Sequence, residues 1–181
     1  LLIAIVIIMP FLKIADIDYK TFDEQTRILR FMLGPSVVAL GYVLDEQIEH
    51  IKGSVLSILT SVFIGSVVGI ASVIWVAKLF GADRVLLMSL APKSVTTPIA
   101  ISIAGQTGGV PELAVAFVVI CGIFGGLVGP LILRSLGIKS KIAKGLAMGS
   151  ASHALGTARA IEMGAVEGAI SGLAIGIMGI M

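Results

Sequence analysis

Two stretches of the chain, residues 53–77 and 113–133, carry no charged side chain, the nearest charges being Lys52, Lys78, Glu112 and Arg134 at their borders. Each is long enough to cross the hydrocarbon core of a bilayer, which takes about 20 residues. Inside lipid every backbone N–H and C=O must find a partner within the protein, so such runs fold as helices. Composition agrees. The chain is 57% hydrophobic and 13% charged, with a mean hydropathy of +1.09. A soluble domain carries about 25% charged residues. The fold class expected is therefore an all-α polytopic membrane protein, with the lipid bilayer as its solvent.

Several function classes fall away. The formal net charge of +2 is small and dispersed, and gives nucleic acid nothing to bind. The single cysteine, Cys121, lies in an apolar run, so no disulfide framework exists. No signal peptide is visible. The chain starts and stops within apolar runs, as a fragment of a longer chain would, and residues 1–181 read as one transmembrane domain.

Charges collect between the apolar runs, in residues 13–30, 45–52, 78–84 and 134–144. Lys and Arg are plentiful in the first, third and fourth of these, and scarce in 45–52 and 105–112. If each apolar run crosses once, the basic loops are cytoplasmic. Trp75 beside Lys78 reads as an interfacial anchor, and Tyr19 and Lys20 as part of an interfacial helix.

An internal repeat is also expected. Leu33-Gly34-Pro35-Ser36-Val37 resembles Leu90-Ala91-Pro92-Lys93-Ser94-Val95, and Ser36, Ser94 and Ser152 recur every 58 residues. Each begins a small-residue segment, followed by a polar loop and a Gly-rich apolar helix. The repeats would cover residues 30–81, 87–137 and 145–181, the third incomplete, each with one broken and one continuous helix. Chance likeness among Gly/Ala/Ser-rich helices is the competing account. Paired interrupted helices point to a transporter binding site.

Ionisable groups at membrane depth are expensive and usually functional. Lys93 lies in Ala91-Pro92-Lys93-Ser94-Val95-Thr96-Thr97-Pro98, within a run otherwise uncharged from residue 85 to 111. Pro92 and Pro98 each remove a backbone donor and clash with the preceding turn. The chain should unwind between them, leaving a helix N-terminus near Thr97 and Pro98 that attracts anions. The alternative is a lysine snorkelling to a headgroup.

A second segment, residues 149–160, holds Ser152, His153, Gly156, Thr157 and Arg159. On a continuous helix His153, Gly156 and Thr157 share a face. Arg159 suits a carboxylate, and His153 can carry a proton near neutral pH. The plainer alternatives are a packed His153 bonded to a backbone carbonyl, and an Arg159 paired with Glu162. Lys93, Ser94, Thr96, Thr97, Pro98, Ser152, His153, Gly156, Thr157 and Arg159 together describe an anion site, with Gly34, Pro35 and Ser36 as possible additions. The two broken segments should converge near the bilayer midplane. Catalysis is not expected. Ser152 and His153 are adjacent, about 100° apart on a helix, and cannot act as a nucleophile–base pair. No metal-ligand spacing and no cofactor motif is present. Gly122, Gly125, Gly126 and Gly129 read as a close-packing stripe.

Pro92-Lys93-Ser94-Val95-Thr96-Thr97-Pro98-Ile99-Ala100 and Ser152-His153-Ala154-Leu155-Gly156-Thr157-Ala158-Arg159-Ala160 resemble the two signature segments of the LrgB/CidB family. Residues 33–40 look like a third, with Ser36 where the family often has alanine and Gly41-Tyr42 replacing a small, proline-containing stretch. The likeness implies one of two roles in the cell (inner) membrane. One is transport of small hydroxy- and keto-acids, such as pyruvate, glycolate or glycerate, with ion or proton coupling. The other is an antiholin-like murein hydrolase regulator that modulates autolysis with an LrgA/CidA-type partner. The basic and hydroxyl residues fit a small carboxylate anion. Homo-oligomers remain open.

Overall fold

The structure, a computed structural model, describes residues 2–28, 31, 42, 45, 52, 53 and 55–180. Gly34, Pro35 and Ser36 lie outside the described residues, as does much of the first expected repeat. The chain divides into two compact units, Leu1–Leu40 and Gly41–Met181. Every described element is helical.

In the first unit, α1 (Leu2–Ile14) is followed by the short α2 (Tyr19–Gln25). Asp18 caps α2 by accepting a hydrogen bond from the Thr21 N–H at 3.0 Å. That bond holds its carboxyl below the usual carboxylate range, since it favours the ionised form.

The second unit contains α3 (Val55–Leu79), α4 (Arg84–Leu90), α5 (Thr97–Thr107), α6 (Pro111–Ser135), α7 (Lys141–Met163) and α8 (Ala165–Ile180). Helices α3 and α6 have 25 residues each and mean hydropathies of 2.1 and 2.5, long and apolar enough to cross a membrane. At 1.5 Å per residue each is about 37 Å long. They cover the runs expected at 53–77 and 113–133. Helix α3 runs alongside α8 in the same direction. Ile58 packs with Ile170, Val62 with Ala174, and Ser66 Oγ lies 2.6 Å from Met178 Sδ.

The stretch between α3 and α6 does not cross. Helix α4 is about 10 Å long and α5 about 16 Å, each too short to span the core. They are joined by turns through residues 91–96, and the chain doubles back. Gly108, in the left-handed conformation at φ 83°, ends α5. The Val110 N–H then donates to Ser89 Oγ at 2.8 Å, while Ser89 donates to the Val85 carbonyl at 2.8 Å. Leu113 in the first turn of α6 shares a surface groove with Ala77, Phe80 and Asp83. Residues 80–83 and 108–110 thus lie at the same end of α6.

This corrects the topology expected from charge. The basic groups at 78–84 and 134–144 sit at opposite ends of α6, because the run 84–110 enters and returns rather than crossing. One assumption failed, that every apolar run crosses once. A lysine and two prolines had already marked this run as the exception.

Helix α7 behaves in a related way. Its backbone is non-helical at His153, with φ 40° and ψ −136°. Met148 and Ala160 share one buried cluster with Leu133. On a straight helix twelve residues would separate them by about 18 Å. A Cβ added at Gly156 would strike the Met148 carbonyl. The two halves of α7 therefore fold sharply back at His153. The first half packs through Gly145 and Gly149 on Glu167, Ile170 and Ser171 of α8. The second returns past Ser171 to Ile161, which packs on Gly168.

Candidate functional site

Both bent elements pack on α6. From the first, Val95, Ala100 and Ala104 bury themselves with Ala114 and Val118. From the second, Ser152, His153 and Leu155 press on the glycine stripe. A Cβ at Gly122 would stand 2.7 Å from His153 Nε2, one at Gly125 would overlap Ser152, and one at Gly129 would stand 2.8 Å from Met148 Sδ. The stripe is a packing face, as its spacing implied, and only glycine lets the turn of α7 come this close.

At the first turn, Pro92 and Val95 are buried, Lys93, Ser94, Thr96 and Thr97 half-buried, and Pro98 exposed. Lys93 Nζ donates to Ser94 Oγ at 2.9 Å. Thr96 is the N-cap of α5 but makes no capping hydrogen bond. Pro98 has no N–H, so the Thr97 and Ile99 amides are the uncapped donors of that turn. The Ile99 side chain is placed near Gly179 at the end of α8. Lys93 lies within Coulombic range of the His153 ring.

At the second turn, His153 is 4% exposed and Ser152 1%. His153 Nε2 is 2.7 Å from the Val118 carbonyl oxygen. His153 Nδ1 and Ser152 Oγ make no hydrogen bond, yet no fully enclosed polar side-chain atom among the described residues goes unpartnered. Both side chains are nonetheless buried. A non-glycine residue at positive φ costs on the order of 1–3 kcal/mol, and such strain persists only where surroundings over-determine it. Here the Val118 bond and the contact with Gly122 do so.

The site residues are not gathered on one helical face. His153 turns toward α6, whereas Thr157 Oγ1 lies 2.7 Å from Ser171 Oγ of α8. The break at His153 rotates the two halves apart, so the spacing of a continuous helix does not apply. Gly156 serves the fold-back itself. Arg159 pairs with Glu162 on the exposed side of α7, and His153 is bonded to a backbone carbonyl. Both plainer alternatives weighed from the sequence are thus present. Ser171, fully buried, was missed. A signal existed, for Glu167 and Ser171 are four residues apart on α8, whose other residues are apolar or glycine, and so share a face. No group of three or more metal-ligating side chains occurs among the described residues.

Comparison with known proteins covers the whole chain. The LrgB-like family model matches residues 1–181. This chain belongs to the LrgB-like family. It is 39% identical to the uncharacterized protein YxaC of Bacillus subtilis (strain 168), over 97% of this chain and 76% of that one. It is 33% identical to the antiholin-like protein LrgB of Bacillus mycoides (strain KBAB4), over 100% of this chain and 79% of that one. The antiholin-like protein LrgB of Bacillus cereus (strain B4264) matches equally. No solved structure matches. Family membership and the apolar helices α3 and α6 make this a helical membrane protein.

Proposed function

We propose that this chain is a multi-pass subunit of the cell (inner) membrane that transports small monocarboxylates such as pyruvate, glycolate or glycerate. One observation carries the reading. Two bent elements, based at opposite ends of α6, pack on that helix, the first through Val95, in the chain next to Lys93 and Ser94, with Val118, and the second through His153 and Ser152 at Gly122 and Gly125. Both returning segments begin at the turns, so their N-termini, the positive ends of their dipoles, lie there too. Discontinuous helices with N-termini at mid-depth are a recurring way to hold an anionic substrate.

The carboxylate is held by Lys93 with the Thr97 and Ile99 amides. Ser94, Thr96, Ser152 and His153 serve the rest of the molecule. Thr157 and Gly156 shape the second turn. Arg159 lies about 9 Å along the returning half of α7, six residues beyond the turn, and meets the anion on its way in. Coupling to a proton or another ion accompanies transport. The bent-then-continuous order, found in 84–135 and again in 141–180 with opposite direction, supports reading 87–137 and 145–181 as inverted repeats. No step of this reading is enzymatic.

The names of the LrgB relatives speak for a second reading more directly than for the first. In it the chain is an antiholin-like regulator of murein hydrolases, acting with an LrgA/CidA-type partner. Proteoliposome uptake of pyruvate, lactate, glycolate and glycerate separates the two. Transport requires saturable uptake across an otherwise tight membrane, abolished by Lys93→Ala. Absence of uptake for all four acids, or release of an encapsulated dye alongside them, would replace the first reading with the second.

A further inference from the structure

We propose that His153 distinguishes 2-hydroxy acids from 2-oxo acids, and that taking up a proton removes the distinction. The inference rests on the transport reading above. Nε2 lies 2.7 Å from the Val118 carbonyl oxygen. A carbonyl only accepts, so Nε2 bears a hydrogen in either charge state. The neutral ring therefore keeps its lone pair on Nδ1. That atom has no hydrogen-bond partner, in a buried ring next in sequence to the equally unpartnered Ser152 hydroxyl.

With the carboxylate on Lys93 and the α5 start, the 2-position of a short acid faces this pair. A 2-hydroxyl donates to the Nδ1 lone pair. A 2-oxo oxygen cannot donate, and sets lone pair against lone pair. Once Nδ1 is protonated the preference is lost, because N–H then donates to a hydroxyl oxygen and an oxo oxygen alike. Ser152 donates or accepts as needed and discriminates little. Acidification that protonates the ring therefore lowers the preference for the hydroxy acid.

Few other groups disturb this. Lys93, on the turn before α5, is the charged neighbour of the ring. Helix α6 faces it with Gly122 and carries the half-buried Cys121 one position away. Helix α8 contributes Glu167, which packs at the base of the fold-back, against Gly145 and Gly164.

The test is simultaneous uptake of labelled lactate and pyruvate by proteoliposomes between pH 7.5 and 5.5, a window in which both carboxylates stay ionised. The wild-type ratio of lactate to pyruvate should fall by roughly fivefold or more on acidification, through protonation of the imidazole. His153→Gln, whose amide donates or accepts but does not titrate, should give a ratio constant across the range. A wild-type ratio that does not move overturns the inference while leaving transport intact. Failure of the wild type to take up either acid overturns both. A pH-dependent ratio in His153→Gln also overturns it. The wild-type measurement decides the matter even where the variant does not fold.

Discussion

The two bent elements reach the same helix by different physics. Between α4 and α5 the helix fails for local reasons. Pro92 and Pro98 deny it donors, the connecting residues are half-open, and the chain turns back through ordinary geometry. In α7 nothing local requires a break. No proline interrupts Lys141–Met163, and the turn is forced at His153, in a conformation suited to glycine. Its support comes from α6 and α8, through Gly122, Gly125, the Val118 carbonyl and Ser171. A turn encoded locally leaves its polar groups half-buried, as Lys93, Ser94, Thr96 and Thr97 are. A turn held by tertiary contact is buried, as His153 and Ser152 are.

The comparison breaks most visibly at Gly125. Gly125→Leu drives a side chain into Ser152 and should dismantle the second turn while leaving the first. Overpacking of this kind costs about 1–3 kcal/mol and sometimes more. A lowered melting temperature in detergent, with uptake lost, is expected. Unchanged stability would mean that α7 does not press on α6.

Lys93→Met tests the first turn without touching its fold. A hydrogen bond to a charged group is worth about 1.5–3 kcal/mol, so the Kd for pyruvate should rise roughly tenfold to a hundredfold. Lys141→Met, at the start of α7, should change it less than about twofold, as exposed charges usually do. Equal effects would remove Lys93 from the site.

His153→Gly separates strain from function. Glycine relieves a backbone penalty on the order of 1–3 kcal/mol but loses the imidazole and its bond to Val118. The two nearly offset, so the melting temperature should shift by only a few degrees while the pH dependence of uptake vanishes. A large destabilisation would show that the ring is a structural post. The matching change at the first turn, Pro98→Ala, should leave the break in place, since Pro92 remains.

The smallest effect is expected at Arg159. Its partner Glu162 is three residues away and both are exposed, and such pairs contribute about 0.2–1 kcal/mol. Arg159→Met should leave stability unchanged and lower the rate of uptake at low salt more than at high salt, as loss of a steering charge does. A salt-independent loss would move Arg159 into the binding site proper.

Much of this molecule is legible in one dimension. Charge-free runs of spanning length determine that α3 and α6 are helices, because lipid offers backbone groups no partner. The glycine stripe on α6 announces a close neighbour, and paired prolines around Lys93 announce a break. All of these are consequences of composition over a few turns. Other features were decided only in three dimensions. Whether 84–110 crosses or returns depends on Ser89 meeting Val110 and on Leu113 reaching the groove beside Phe80. The reversal at His153 depends on contacts from helices α6 and α8. Helical periodicity presumes a continuous helix, so it placed His153 and Thr157 on one face, when one turns to α6 and the other to α8. Local spacing records which side chains can be neighbours along a helix. It cannot record where a partner helix supplies enough contact to hold a residue such as His153 in a conformation its own chain disfavours.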